Sequence, residues 1–541
     1  MGDPSPPRQP LDKARAILLG LATKRAGSEE VEVQNALGRI TAATVRAHTA
    51  SPHYRAAAMD GIAVRSADTM AAAGDNPITL GDVGSGGSPD DTPLPASAVD
   101  TGSAMPAWAD SVVRIENTTR VDGGWRIAEA APPGRDVRRI GEDMEAGRVL
   151  LGGGRRIRPF DIGAMLATSV TTVEVGRAPT VAIIATGAEV IEPGPAAQPG
   201  QVIEFNSRVM AAMIQEWGGD ARYLGLAGDD EESLASAISD AAISHDIVCV
   251  IAGSSKGRRD FTVPTLARLG KLVVHGVDMM PGKPVAFASV CSTPVIAIPG
   301  YPVSAILVCR ELLGPLLLAM LGACPQAVAT VRAEVKRALP SKLGVEEFVR
   351  VCLTPCGGGF VVAPLPRGAG SISTIARADG ILRIKAASQG IDAGSMVEVE
   401  LLKTEAEAAA NLVVATTHET LVETLEDLLA TAHPGLPGLK PVCLDLAGPA
   451  AEVSLLAGES HLAIVEAKGM ELPTLLAKAP NPPQAWLLKG LESDSRVIVM
   501  ERVFAASACG KAVADTLGGG EFAKAAEAAG YAAPAALAAL A

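Results

Sequence analysis

The residues best equipped for chemistry sit in short glycine-rich stretches that also hold a hydroxyl, a cation or a carboxylate. TGAEV carries Thr186, Gly187 and Glu189, and AGSSKGRRD carries Gly253, Ser254, Ser255, Lys256, Gly257, Arg258, Arg259 and Asp260. MMPGKP holds Gly282 and Lys283 between two prolines, and PGYPVS, with Pro299 and Gly300, opens a predicted helix near Ser304. Glycines let backbone N–H groups approach an anion, and a helix start offers N–H donors and a positive dipole end. Lys256, Lys283 and the Arg pair add charge, so the pattern suits a phosphorylated ligand. Glu189 and Asp260 could hold a Mg²⁺ that bridges phosphate oxygens. Taken singly, each loop reads as an ordinary turn between strand and helix. Several at one sheet edge point to an anion site. AAMDGIA (57–63) adds a lone acid, Asp60, beside Gly61. On its own that pair reads as an exposed tight turn, whereas a buried acid would need a partner.

To serve one ligand, those loops must end strands of one sheet. VAIIA, RYLGLAG, DIVCVIAG and VIAIPG read as strands, separated by helices in NSRVMAAMIQEWGG, ESLASAISDAAISH and DFTVPTLARLG. VSAILVCRELLGPLLLAML follows as a long helix. The alternation predicts a parallel α/β domain over 179–326, covered on both faces, with ligands outside the carboxyl ends of its strands. Upstream, LDKARAILLGLATK has helical spacing, and 46–149 has the Gly, Pro, Val and Thr content of a β-rich domain. Residues 1–45 with 150–178 form a helical and linking domain, in which a short helix after Pro159 packs back on the first. Residues 327–404 predict a small β-barrel or sandwich, EAEAAA a linker, and 411–541 a second α/β unit ending in a frayed Ala-rich tail. The fold class is therefore multidomain α/β and β.

The bulk composition agrees. A chain of 541 residues exceeds one core, so about three to five domains are expected. Hydrophobic residues at 48% and charged residues at 20% are globular values, while 3% aromatics leave the cores to Ala, Val, Leu and Ile. A net charge of −13 argues against nucleic acid as partner. Of the Cys residues at 249, 291, 309, 324, 352, 356, 443 and 509, the one close pair, Cys352 and Cys356, lacks zinc spacing, and most of the others sit in apolar runs that predict buried, reduced thiols. The N-terminus has no apolar signal core, and the most apolar segment contains Arg310 and Glu311, which suits a packed helix rather than a membrane span. A cytoplasmic protein is expected.

Read in order, AAAMDGIAV, TGSAMPAWADSVVRIE, GEDMEAG, IIATGAEVIEPG, EFNS, AGSSKGRRDFT, MMPGKPVAF, IPGYPVSA, EEFVR and GAGSISTIARADG resemble the MoeA family of molybdopterin molybdenumtransferases. Relatives of that family include the gephyrin E domain. The resemblance spans residues 10–403. It implies that adenylylated molybdopterin is bound, its phosphoanhydride cleaved, AMP released and molybdate placed on the dithiolene. It implies a homodimer whose shared cleft joins the α/β domain of one protomer to the Asp60 domain of the other. Asp60 would then be an active-site acid. By the same match Thr101, Asp143, Glu189, Asp229 or Asp230, and Asp260 surround the metal, pterin and molybdate, with Mg²⁺ held by Glu189, Asp229, Asp230 and Asp260. Lys283 contacts phosphate, and Ser371 lies on the approach from the fourth domain. Thr186, Gly253, Ser254, Ser255, Gly257, Gly282, Pro299, Gly300 and Ser304 complete the implied substrate-binding set.

Three departures stand out. Met280 and Tyr301 occupy positions where many members have Lys and Asn, and AGSS replaces a TGG-type start. These forms resemble the subgroup with a periplasmic-binding-protein-like tail, for which tungstate is an alternative to molybdate. VVATTHETLVETLEDLL and EVSLLAGESHLAIVEA resemble parts of such a tail, here reduced to a single lobe, in which His418 and His461 read as structural. Protein partners implied are a molybdopterin adenylyltransferase or an acceptor molybdoenzyme. The competing readings are a cofactor carrier with weakened chemistry and a scaffold acting through the tail.

Overall fold

The computed structural model describes residues 6–22, 26–84, 88–194, 197–228, 230–252, 261–324, 327–356, 359–417, 419–432, 440–444, 446, 449–467, 484–488, 495–500, 502–528 and 535–536. The chain forms two compact units, Lys24–Ala178 with Leu318–Cys324, and the remainder.

In the larger unit, a six-stranded sheet has the order Asp220–Leu226, Thr180–Ala185, Ile247–Ala252, Thr293–Pro299, Ala286–Val290, Lys271–His275. The first four strands are parallel, as the alternation predicts. The sheet is nevertheless mixed, because Ala286–Val290 runs antiparallel to both neighbours. The cause is local: Cys291 and Ser292 both have positive φ (50° and 67°), which makes the two-residue turn of a hairpin. Reversal at one strand leaves Lys271–His275 pointing the same way as the parallel four, so its following loop still opens at their carboxyl edge. The central strands bury nearly every residue on both faces. The helix Pro302–Met320 is long and apolar enough to cross a membrane, yet 72% of that window is buried, as befits a core helix.

Within that helix, Cys309–Leu313 widens to a π turn. It presents Glu311, whose side chain is 7% exposed, to Arg15 of helix Leu11–Leu21 at 2.8 Å and to Arg383 of the following β domain. The first helix thus groups with the α/β domain.

Residues 330–401 form a closed barrel. Glu346–Cys356 pairs with Gly359–Pro364, then Thr330–Glu334, Met396–Leu401 and Gly380–Ile384 follow, and the last pairs back to the first. The stretch expected as a linker is instead the helix Glu405–Ala409, because Thr404 and Glu407 form a capping box and Ala408 is buried in the barrel core. Beyond it lies a second mixed sheet, ordered Lys440–Cys443, Asn411–Ala415, Leu462–Ala467, Ser495–Met500, Gln484–Leu488, Ala535–Ala536. Its last pair departs from the expected frayed tail by hydrogen bonding to the Trp486–Leu487 backbone. Helices Arg502–Ala506 and Ala508–Leu517 precede the terminal Gly520–Ala528, where one terminal helix is predicted.

The smaller unit holds a curled sheet ordered Ser111–Arg114, Gly61–Val64, Pro95–Val99, Ile78–Asp82, Gly124–Ile127, Thr118–Val121. Helix Pro159–Ala167 packs there on Val149–Leu151. Of the cysteines outside the Cys352/Cys356 pair, Cys249 and Cys309 are buried, Cys509 is half-buried, and Cys291 and Cys324 are exposed, against the expectation that most are buried. Cys291 is exposed because it occupies the hairpin turn.

Glu311→Ala leaves Arg15 and Arg383 without their shared acceptor, and should cost about 3–5 kcal/mol, as for breaking a buried ion pair from one side. Thermal unfolding checks this, with Glu311→Gln expected to lose less; an unchanged midpoint for the alanine variant would remove the role assigned to the pair.

Candidate active site

At the carboxyl edge of the α/β sheet lies a cleft of about 400 Å³. Its floor comes from strand ends, Ala185 and Thr186 on one side and Gly300 and Tyr301 on the other. Gly187 has φ +139°, and a Cβ there would lie 2.9 Å from Val190 Cγ2 and 3.3 Å from Glu189 Oε1. Only glycine makes that turn without displacing Glu189, an exposed carboxylate in the cleft wall. The facing wall is the segment 202–206, pinned when Val202 N–H donates to Glu189 O at 2.7 Å.

The EFNS segment does more than its motif suggests. Asn206 Nδ2 donates to Gly300 O at 2.8 Å, which ties this wall to the PGYP turn. Glu204, 4% exposed, accepts from Ser207 N–H at 2.9 Å, Ser207 Oγ at 2.5 Å and Arg208 Nη1 at 2.7 Å. Arg208 also pairs with Glu192 at 2.5 Å and lies over the Tyr223 ring. Tyr223 donates to Glu192 at 2.6 Å; burial, then that bond, push its phenol up to about 12. This network fixes the wall and occupies the guanidinium. Glu204, Phe205 and Asn206 stand in the sequence only as part of the EFNS motif, and nothing in their spacing announces their contacts.

Thr186, Glu189 and Gly300 therefore share one cleft, and Pro299, next to Gly300 in the chain, is buried. Gly370, next to Ser371, reaches the cleft from the barrel and packs on the Tyr301 ring, where a Cβ would be 3.6 Å away. The helix start is less open than predicted. Pro302 has no N–H, Val303 N–H donates to Ala369 O at 3.1 Å, and Ala305 N–H to Tyr301 O at 2.9 Å. Ser304 is buried behind them. Gly282 (φ +114°) is packed against Met279 and Val308, and Lys283 is exposed but outside the cleft lining. Met280 is held in a bridge to Glu347 of the barrel.

Asp229, Gly253, Ser254, Ser255, Gly257 and Asp260 lie outside the described residues, as does His418. Asp230 caps the helix Glu231–Ser244: Oδ1 accepts from Ser233 N–H at 2.8 Å and Oδ2 from its hydroxyl at 2.6 Å. The hydroxyl, then the amide, hold this carboxyl below its ordinary value. Both oxygens are engaged in capping, which is a structural use of this acid. Among the described residues no three His, Cys, Asp or Glu side chains gather as metal ligands. Of the predicted Mg²⁺ set, Glu189 alone is both described and uncommitted to a cap, and one carboxylate does not make a Mg²⁺ site.

In the smaller unit, Asp60 and Thr101 flank paired strands whose register sets Gly61 opposite Val99. Asp60 Oδ1 accepts from Thr101 N–H and from Thr101 Oγ1, each at 2.7 Å. The hydroxyl, then the amide, hold the exposed Asp60 carboxyl below its ordinary value, so its ionised form, present at neutral pH in any case, persists to lower pH. Gly61 is a steric necessity: a Cβ there would lie 2.1 Å from Val113 O. Asp143 is exposed, with its amide donating to Ser51 O at 3.1 Å.

Comparison with known proteins follows this layout. Residues 9–169 match the model of the MoeA N-terminal region (domain I and II), 182–319 that of a probable molybdopterin binding domain, and 332–402 that of the MoeA C-terminal region (domain IV). A molybdopterin biosynthesis protein of Methanocaldococcus jannaschii is 31% identical over 388 residues, which is 69% of this chain and 92% of that protein. The chain belongs to the MoeA family. Molybdopterin molybdenumtransferase 2 of Mycobacterium tuberculosis is 31% identical over 387 residues, 68% of this chain and 94% of its own length. Two MoeA crystal structures from Pyrococcus horikoshii superpose with TM-scores of 0.65 and 0.59, at 33% and 27% identity. They cover 74% and 73% of this chain and 100% of each MoeA chain. The family match ends at 402, before the second mixed sheet begins.

Thr101→Val removes one of two donors to Asp60 and keeps the other. Its carboxyl should then titrate at higher pH than in the parent protein, nearer the ordinary aspartate value. Carboxyl-carbon NMR reads the shift directly, and an unmoved titration would mean that the hydroxyl does not hold the charge.

Proposed function

We propose that the chain is a molybdopterin molybdenumtransferase of molybdenum cofactor biosynthesis. It binds adenylylated molybdopterin, opens the phosphoanhydride, releases AMP and leaves molybdate on the dithiolene, with tungstate as the alternative oxyanion. The observation that carries this reading is the cleft that gathers Thr186, Glu189 and Gly300 at a carboxyl sheet edge inside the molybdopterin-binding match. Glu189 and the ionised Asp60 supply acceptors, and the exposed Lys283 supplies a cation on the loop at the same edge. Carboxylates beside a dianion are unfavourable unless a cation offsets them. Mg²⁺ would supply that charge, with Glu189, Asp229 and Asp260 as the carboxylates that would hold it.

The working form is a homodimer in the cytoplasm, with Asp60 of one protomer completing the cleft of the other. Its protein partners are a molybdopterin adenylyltransferase, which supplies the substrate, or an acceptor molybdoenzyme.

The test is AMP release from adenylylated molybdopterin with Mg²⁺, measured with no oxyanion, with molybdate and with tungstate. One oxyanion should stimulate release, and Asp60→Ala should lower the rate by about 10²–10³-fold, the scale for losing one charged active-site group. Tight binding without release under every condition would leave a carrier instead.

Mixing Asp60→Ala with Glu189→Ala protein separates the shared site from a site within one chain. Each alone should be inactive, and random reassembly into dimers should restore about a quarter of the parent activity, since half the dimers carry one intact site of two. No recovery after verified exchange of subunits would place Asp60 and Glu189 in the same protomer's site.

A further inference from the structure

The loop 366–371 walls the cleft, through Gly370 at the Tyr301 ring and the Ala369 carbonyl on Val303 N–H. What holds the loop lies farther away. Leu365 precedes it and Ala378 follows its helix Ile372–Arg377; both are buried in one core with Val413, Ala415 and Leu455 of the C-terminal sheet domain. Arg350, 1% exposed, gathers the loop from below by donating to Pro366 O at 2.6 Å and Gly368 O at 2.9 Å.

Asp379 comes next after Ala378 and is wholly buried. Its Oδ2 accepts from Leu353 N–H at 2.8 Å and from Asn411 Nδ2 at 2.5 Å, and its Oδ1 from Lys403 Nζ at 2.9 Å. A buried carboxylate is tolerated only with its partners in place. Here one partner, Asn411, opens the first strand of the C-terminal domain, and it also donates to Leu353 O at 3.2 Å. A second clamp joins the same two bodies: Arg337 Nε donates to Glu459 Oε1 at 2.6 Å, and Thr354 Oγ1 to Glu459 O at 2.6 Å. Glu459 is 1% exposed, so this pair is also withdrawn from water.

We propose that the C-terminal domain braces the cleft, with Asn411 a positioning residue that acts through Asp379 on the loop 366–371. The functional half of this statement rests on the transferase reading; the mechanical half does not. Removing the Asn411 amide leaves Asp379 with two of its three donors, and the anchor of the segment that follows the loop is loosened.

Amide hydrogen exchange on the full chain without substrate tests the brace. Asn411→Ala should exchange about tenfold faster across 366–378, the factor for one lost charge-assisted hydrogen bond. The same variant should raise KM for adenylylated molybdopterin while kcat stays within about twofold, since positioning and not chemistry is disturbed. Leu429→Ala, in the far core of the C-terminal domain, is the control: it loosens that domain and should leave 366–378 at the parent rate. Should Asn411→Ala fail to fold, Arg337→Gln enters the same assays with the same expectations. Unchanged exchange at 366–378 in a folded interface variant, or equal loosening by Leu429→Ala, overturns the proposal. Faster exchange in a chain whose parent releases no AMP would sink the transferase reading and support the brace.

Discussion

Strands Thr180–Ala185 and Thr293–Pro299 leave almost no side chain in water, and this constraint decides where the rest can go. A strand covered on both faces has no room for a polar side chain along its length. Hydroxyls, carboxylates and glycine turns are therefore displaced to its ends. Because the central strands run parallel, their carboxyl ends coincide, and the displaced groups meet. The cleft is in this sense a by-product of burial, sharpened by a few specific bonds. Asn206 to Gly300 is the one that joins two walls which are distant in sequence.

Negative charge is handled in two ways. In the smaller unit, Asp60 keeps its negative charge through two donors from a single threonine, without any cation. Other acids are matched to arginines, Asp161 with Arg158 in the smaller unit and Glu311 with Arg15 and Arg383, Glu204 with Arg208 and Glu459 with Arg337 in the larger. The Glu311 and Glu459 pairs join segments far apart in the chain, so their value lies in registry as much as in energy. Thr101 engages only Oδ1 of Asp60, which leaves Oδ2 for a further partner, whereas Asp230 and the acids clamped by arginine are spent on structure.

Much of this could be read in advance from local chemistry, and the exceptions have physical causes. Runs such as VAIIA and IVCVIA declared buried strands by length and branching. The helix start at Asp230 was written in its D-x-x-S spacing, but its capping role competes with metal binding, and only the observed hydrogen bonds decide between them. Thr404-x-x-Glu407 marks a helix where Ala-rich composition suggests a linker, because a cap outweighs composition in so short an element. The hairpin at Cys291 and Ser292 lacks the usual Gly or Asn, so the antiparallel strand could not be foreseen. Asp60 and Thr101 are 41 residues apart, and only the pairing of Gly61 with Val99 brings them together. Contacts of that kind depend on register, which single-residue chemistry does not encode.

The core that runs beneath Cys352, Leu365 and Ala378 continues without a break into Val413, Ala451 and Val499. A boundary drawn at residue 404 therefore cuts through packed side chains instead of a tether. Two bodies joined this way cannot drift independently in sequence: a larger side chain at Ala378 has to be answered across the junction. In this chain the C-terminal domain and the barrel are therefore one unit of packing, and removing the domain would expose the apolar side chains it covers at Cys352, Leu365 and Ala378.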